Sequence, residues 1–239
     1  MGMKTNLRQA VARAKVAVHV AITRLRDARS DTRFASRSDN RRRHMTHYIE
    51  LEQPFTASAT LEQKKHNLSL AARRVGEFHI RPGETFSFWR AVGNPNSNDF
   101  ESSRSIVGGV LQLERGGGLC QASGIIYHLS LLAGLDIVER HNHSVDLYDE
   151  NTRFCPLGSD ATVCYGYKDL RVRNNTDALL RFELKVLDDR FVARLYSDRQ
   201  LERRDIAFER EDHDDGTREA RAIDVATGTV LSRSRYTVN

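Results

Sequence analysis

Apolar positions recur at three- and four-residue steps in the first third of the chain and at strand-like steps over most of the second half. Leu7, Ala10, Val11, Ala14, Val18, Ala21, Ile22 and Leu25 predict a helix over residues 4–28. Leu61, Leu68, Ala71, Ala72 and Val75 predict another over about residues 60–76, opened by the capping-box pattern Thr60-x-x-Gln63 and closed near Gly76. A third apolar run, residues 119–134, ends at Gly134, placed as a helix stop. Between these two helices a Pro82-Gly83 turn leads into Thr85-Phe86-Ser87-Phe88-Trp89, a strand by its aromatic richness. Residues 94–98 read as a loop. Residues 106–113 read as a strand interrupted by Gly108-Gly109, which suits a bulge.

Everything after the third helix reads as β. Strands are expected at residues 136–143, 161–165, 170–173, 179–187 and 191–196, with turns at Gly166, at residues 174–177 and at Asp188-Asp189. Residues 198–219 are strongly charged, and residues 222–238 suit a last hairpin about Thr227-Gly228. This order predicts an α+β fold in which a cysteine-bearing helix packs on an antiparallel β-sheet, preceded by a basic N-terminal helix. Three regions follow: a basic amphipathic helix and linker over 1–46, an α+β domain over 47–197, and a charged extension with a β-hairpin over 198–239.

Charge sharpens the first region. The net charge is +5, yet residues 1–50 hold twelve Lys/Arg and four Asp/Glu, 12 − 4 = +8, leaving −3 for the rest. Residues 4–28 therefore suit either a helix packed on the body or a surface helix drawn to anionic lipid. Nucleic acid is disfavoured, because no aromatic stacking motif accompanies the arginines. Arg13, Lys15 and His19 break the apolar run that a signal peptide needs, and no window approaches the roughly eighteen apolar residues of a membrane span. The expected location is the cytoplasm or the inner face of the membrane.

The chemistry centres on Gly116-Gly117-Gly118-Leu119-Cys120-Gln121. The glycines let another group approach the backbone closely, so Gly117 and Gly118 are candidate substrate contacts. Cys120 falls where a helix begins, at the positive end of its dipole, an environment that makes a thiol reactive. The three cysteines are odd in number and form no C-x-x-C pair; Cys155 and Cys164 suit reduced, buried thiols. A nucleophilic thiol needs a base and an orienting group. His141 and His143 share one face of the expected strand, and His143 is favoured because Asn142 and Ser144 mark a polar strand end. Asp160 is the orienting candidate. Gln121 could supply an oxyanion donor, and Arg140 could bind a substrate carboxylate. A metal held by His141, His143 and Cys120 lacks a compact ligand motif, and no cofactor motif is present.

Five separated segments resemble the VanW family, named from an accessory protein of vancomycin-resistance clusters. They are IRPGETFSFW at 80–89 with Val92-Gly93, GGGLCQ at 116–121, ERHNHS at 139–144, GSDATV at 158–163 and YKDLRVRNNT at 167–176. The resemblance implies association with the bacterial cell wall and, for some members, cysteine-dependent L,D-transpeptidase activity on peptidoglycan stem peptides or precursors. On that reading Cys120 is the nucleophile, His143 the base and Asp160 the orienter. The alternative is a non-catalytic module that binds a peptidoglycan precursor or a partner and is linked to glycopeptide resistance.

Overall fold

The computed structural model describes residues 2–38, 45–107, 110–146 and 153–238. The chain opens with a long helix, α1 (Gly2–Arg29), then β1 (Ser36–Arg37), β2 (His47–Pro54) and helix α2 (Leu61–Val75). Next come β3 (Phe78–His79), β4 (Thr85–Ser87), the short helix α3 (Phe88–Val92) and the hairpin β5 (Ser102–Val107) and β6 (Val110–Arg115). Helix α4 (Leu119–Leu132) leads to β7 (Asp136–Glu139), β8 (Val145–Asp146) and β9 (Arg171–Arg173). The remainder is β: β10 (Leu180–Val186), β11 (Arg190–Ser197), β12 (Ile206–Asp212), β13 (Thr217–Asp224) and β14 (Thr229–Val238). The fold is α+β. Gly108-Gly109 lies outside the described residues.

Helix α4 is the centre of the core. Ala122, Ile125, Ile126, Tyr127 and Leu129 are fully buried around its whole circumference, as expected of a helix apolar on every side. It packs against β2 and β11 as well as α2 and β7. The meander β10–β11–β2 is antiparallel throughout, and Leu180, Phe182 and Leu184 alternate inward along β10. Buried hydroxyls on α4 bond to carbonyls rather than to water: Ser130 to Ile126, and Ser123 to Ala161 at 2.6 Å.

Two of the motif segments scaffold each other. Strand β4 pairs with β9, setting Phe86 opposite Val172, and Gly83 N–H donates to the Asn174 carbonyl at 2.7 Å. Asn174 is fully buried; its amide donates to Ile80 and Ala178 carbonyls while its oxygen accepts from Thr176. Asp169 likewise accepts from the Ser87 hydroxyl at 2.6 Å and from the Trp89 amide, fixing the start of α3.

Several local expectations are corrected. Phe88 and Trp89 begin α3, because Ser87 caps it by accepting from the Arg90 amide. Thr60 precedes α2 without capping it: its Oγ1 is engaged instead by Ser103 and by the Arg104 amide. The strand expected over 136–143 ends at Glu139, and residues 161–165 form only a bridge at Cys164. Residues 198–219, charged enough to read as irregular, include β12, which pairs with β13 in a four-stranded sheet of order β12-β13-β14-β8.

Helix α1 docks by the face the apolar periodicity does not mark. Val16 and Val20 lie over Gly166, His19 meets the Tyr167 ring, and Asp27 pairs with Arg171 at 2.8 Å and Arg90 at 2.9 Å. Val11, Val18, Ile22 and Leu25 remain exposed.

Candidate active site

The glycine run exists for packing as much as for access. A Cβ on Gly117 would stand 2.5 Å from the Ser103 carbonyl oxygen on β5, so only glycine lets the loop lie against that strand. Asn67 of α2, fully buried, holds the same loop by donating to the Gly117 and Glu101 carbonyls. Gly118 takes φ +99°, a left-handed conformation that suits glycine, and opens α4. Cys120 is thereby carried into the first turn of the helix, where backbone N–H groups lack intrahelical partners.

Beyond Cys120 the chain folds back over α4. Cys120 Sγ lies 3.6 Å from Thr162 Oγ1 and 3.8 Å from the Val163 carbonyl. His143 acts on the Cys120 thiol through its side chain, and its Nδ1 lies 2.7 Å from Asp160 Oδ2. With Nδ1 committed to Asp160, Nε2 is the ring nitrogen left for the sulfur. The His143 backbone amide also donates to Asp160 Oδ2 at 2.8 Å, so one carboxylate oxygen fixes both backbone and ring.

Electrostatics follow from this chain of contacts. Burial alone would raise the Cys120 thiol, but the hydrogen bond and positive charge of His143 outweigh it and hold it below its ordinary value. Burial likewise opposes charge on His143, yet Asp160 and Cys120 raise it to about 10. Asp160, also opposed by burial, is lowered to about 2 by His143 and Arg140. Both shifts favour a thiolate beside an imidazolium. Cys155 and Cys164 contrast with it. Both are free; burial pushes Cys155 up to about 11, and Cys164 is also raised, although it is exposed rather than buried as expected.

The structure brings Cys120, His143 and Asp160 together and sends other candidates elsewhere. His141 turns to Glu139, 3.1 Å away, because the strand that would have put both histidines on one face has ended. His141, His143 and Cys120 therefore do not converge, and no metal-binding cluster of His, Cys, Asp or Glu occurs among the described residues. Arg140 lies beneath the dyad: it donates to Asp160 Oδ1 at 2.9 Å, to the Asp160 and Gly158 carbonyls and to Ser234, over the Tyr127 ring. A cavity of about 230 Å³ opens at Cys120. Gly118, Gln121 and His143 line it, while Gly117 does not. Gln121 is 7% exposed, and neither of its side-chain polar atoms has a partner.

Sequence reasoning missed the contribution of β14. Ser232, Ser234 and Tyr236 alternate on one face and bond in turn to Tyr127, Arg140 and Asp160. The Ser-Arg-Ser-Arg-Tyr alternation was the signal. It marks an inward face without naming what that face meets.

The molecule is an α+β protein whose buried central helix carries a cysteine beside a histidine–aspartate pair. The chain belongs to the VanW family: the family model described as "VanW like protein" matches residues 63–196. It is similar to the vancomycin B-type resistance protein VanW of Enterococcus faecalis (strain ATCC 700802 / V583), 34% identical over 140 residues, 58% of this chain and 51% of that protein. It is also similar to the uncharacterized protein YoaR of Bacillus subtilis (strain 168), 34% identical over 137 residues, 57% of this chain and 44% of that one. The chain thus spans about half the length of these curated relatives. No solved structure matches it. The three motif segments at 116–121, 139–144 and 158–163 build the site, whereas Tyr236 lies beyond the matched residues.

Proposed function

We propose that this chain catalyses cysteine-dependent acyl transfer, L,D-transpeptidase-like, on peptidoglycan stem peptides or their precursors. The observation that carries this reading is the continuous relay from Cys120 through His143 to Asp160 at the wall of a cavity. Cys120 thiolate attacks a peptide carbonyl, and the negative charge on its oxygen is met by amides at the start of α4 and by the unpartnered Gln121 side chain. His143 gives its proton to the leaving amine as the C–N bond breaks, releasing D-alanine and leaving a thioester on Cys120. An acceptor amine then gives a proton to His143 as it attacks the thioester, and the thiolate returns. Asp160 holds the ring in the required tautomer throughout.

The test is D-alanine release from a tetrapeptide stem, with an intact-mass search for the thioester. Cys120→Ala should abolish both while keeping the fold. Binding of the stem peptide by the unaltered protein with neither release nor thioester would overturn catalysis in favour of a binding module.

The exposed stripe Val11, Val18, Ile22 and Leu25, flanked by Arg13, Lys15, Arg24 and Arg26, supports a second element of this reading: α1 lies on an anionic lipid surface. No helix among the described residues is long and apolar enough to cross a membrane. Sedimentation with phosphatidylglycerol vesicles at low salt, lost on removing residues 1–29, is the expected result. Unchanged sedimentation after removal, or preference for nucleic acid over vesicles, would overturn it.

A further inference from the structure

Two cations stand at the mouth of the Cys120 cavity with no carboxylate to meet them. Lys64 lies one turn into α2 and Arg104 lies on β5, both lining the cavity. The two elements are pinned together where they carry these side chains: Thr60 Oγ1 accepts from the Arg104 amide at 3.2 Å and contacts Ser103 Oγ at 3.1 Å. The Lys64 stem crosses the glycine loop, its Cγ 2.8 Å from where a Gly118 Cβ would be, two residues before the thiol. Its ammonium sits over the Phe55 and Phe154 rings at 5.7 and 5.8 Å.

Neither cation is neutralised by a described residue. Among the described residues, neither Lys64 nor Arg104 forms an ion pair. The two carboxylates in the cavity wall are taken, Asp146 by Arg153 and Arg218 and Asp160 by Arg140 and His143. Burial and the charge of Arg104 together pull Lys64 down to about 8. Such a pair is relieved by an anion placed between its members. Gln53, 5% exposed on β2, leaves its Oε1 without a donor on the same cavity wall. It is an acceptor fit for a peptide N–H.

We propose that Lys64 and Arg104 form a carboxylate subsite that takes the free C-terminal carboxylate of the peptide whose last peptide bond meets Cys120. The inference rests on the acyl-transfer reading and gives it a direction: the chain acts on the end of a peptide rather than within one.

Two measurements test it. In the first, Cys120 is alkylated with iodoacetate, which carries a carboxylate, and with neutral iodoacetamide, and each rate is read by mass spectrometry. The iodoacetate-to-iodoacetamide ratio should fall about tenfold in Lys64→Met and in Arg104→Gln and recover in Lys64→Arg, the effect of one charge-assisted contact. Because iodoacetamide reports the thiolate in each variant, a folding defect cannot imitate that pattern. In the second, Cys120→Ala binds N-acetyl-L-lysyl-D-alanine and its C-terminal carboxamide, followed by calorimetry. The acid should bind about tenfold more tightly than the amide, a preference lost on adding Lys64→Met. Ratios that are equal in all variants, or acid and amide bound alike, would overturn the subsite while leaving a reactive Cys120 in place. An inert Cys120 with the acid preference intact would overturn acyl transfer and keep the subsite.

Discussion

Tyr236 donates its hydroxyl to Asp160 Oδ1 at 2.6 Å, across 76 residues of sequence, and so ties strand β14 to the acidic end of the candidate triad. Burial and the nearby Asp160 charge raise the phenol, which keeps it a proton donor. Tyr236 is 2% exposed, so phenylalanine would fill the same space without the hydroxyl. Asp160 Oδ1 would then keep only Arg140. Tyr236→Phe is expected to cost about 1.5–3 kcal/mol, the range for a hydrogen bond to a charged group, read as a drop in urea midpoint at unchanged slope. A variant as stable as the parent would show that the contact contributes nothing.

Alkylation of Cys120 should follow the His143 charge. The thiolate is present where an ordinary thiol is still protonated, so the rate should be high already near neutral pH. It should stay level until His143 loses its proton at about 10. Asp160→Asn removes the carboxylate that holds the imidazolium and presents an amide N–H to Nδ1. That favours the neutral ring with Nε2 protonated. The iodoacetamide rate at pH 7 should fall at least about tenfold, one unit of thiol pKa, and the profile should climb only as pH approaches the ordinary thiol range. A parent profile that itself climbs only there would exclude the ion pair.

The central helix was legible because an unbroken apolar run has few alternatives to burial, and Cys120 at its start was legible for the same reason. Asp160 could be found because the segment that carries it lies near the histidines in chain order. Placing His141 and His143 on one face rested on strand alternation, and His143 was favoured for its polar neighbours Asn142 and Ser144, but the strand stops at Glu139. His143 is selected instead by a backbone bond to Asp160 that no spacing rule contains. Arg140 was read as facing substrate; its partners, Gly158, Asp160 and Ser234, come from two later segments. Nothing in the sequence marks Lys64; only the packing of β5 and the Gly118 loop against α2 encloses it. Helix α1 shows the same limit. Its apolar stripe was plain, but Asp27 and the close contact of Val16 and Val20 with Gly166 decide which face docks.

Two of the three consecutive glycines, Gly117 and Gly118, are expected to resist substitution for different reasons. At Gly117 a methyl group meets the Ser103 backbone oxygen at 2.5 Å, and neither the strand nor the loop can yield without moving Cys120. Gly117→Ala should therefore cost at least about 1–3 kcal/mol, as overpacking does, and lower the Cys120 alkylation rate as well. At Gly118 the added methyl meets the Lys64 side chain, which can bend away, but φ +99° opposes any Cβ. Gly118→Ala should cost about 1–2 kcal/mol through that conformation. Its distinguishing effect should be on iodoacetate more than iodoacetamide, because Lys64 is displaced. A Gly117→Ala variant as stable as the parent would contradict the close approach at Gly117.

Asp27, the one acidic residue within α1, anchors it to the body through Arg171 and Arg90. Its side chain is 8% exposed, so the pair with Arg171 is well shielded, whereas Arg90 is half in solvent. Asp27→Asn leaves Arg171 to Asp169 and Glu139 and removes the charge that locates the helix. Breaking a buried pair costs about 3–5 kcal/mol; with Arg90 exposed and Arg171 keeping other partners, about 2–3 kcal/mol is expected here. That loss should fall on α1 rather than on the core, since α4 and the meander make no use of Asp27. Hydrogen exchange should therefore speed up across residues 16–27 while amides of α4 remain protected. Vesicle sedimentation should persist, because the lipid-facing stripe is the opposite side of the helix. Uniform loss of protection across the whole domain would mean that α1 is integral to the core and not a docked appendage.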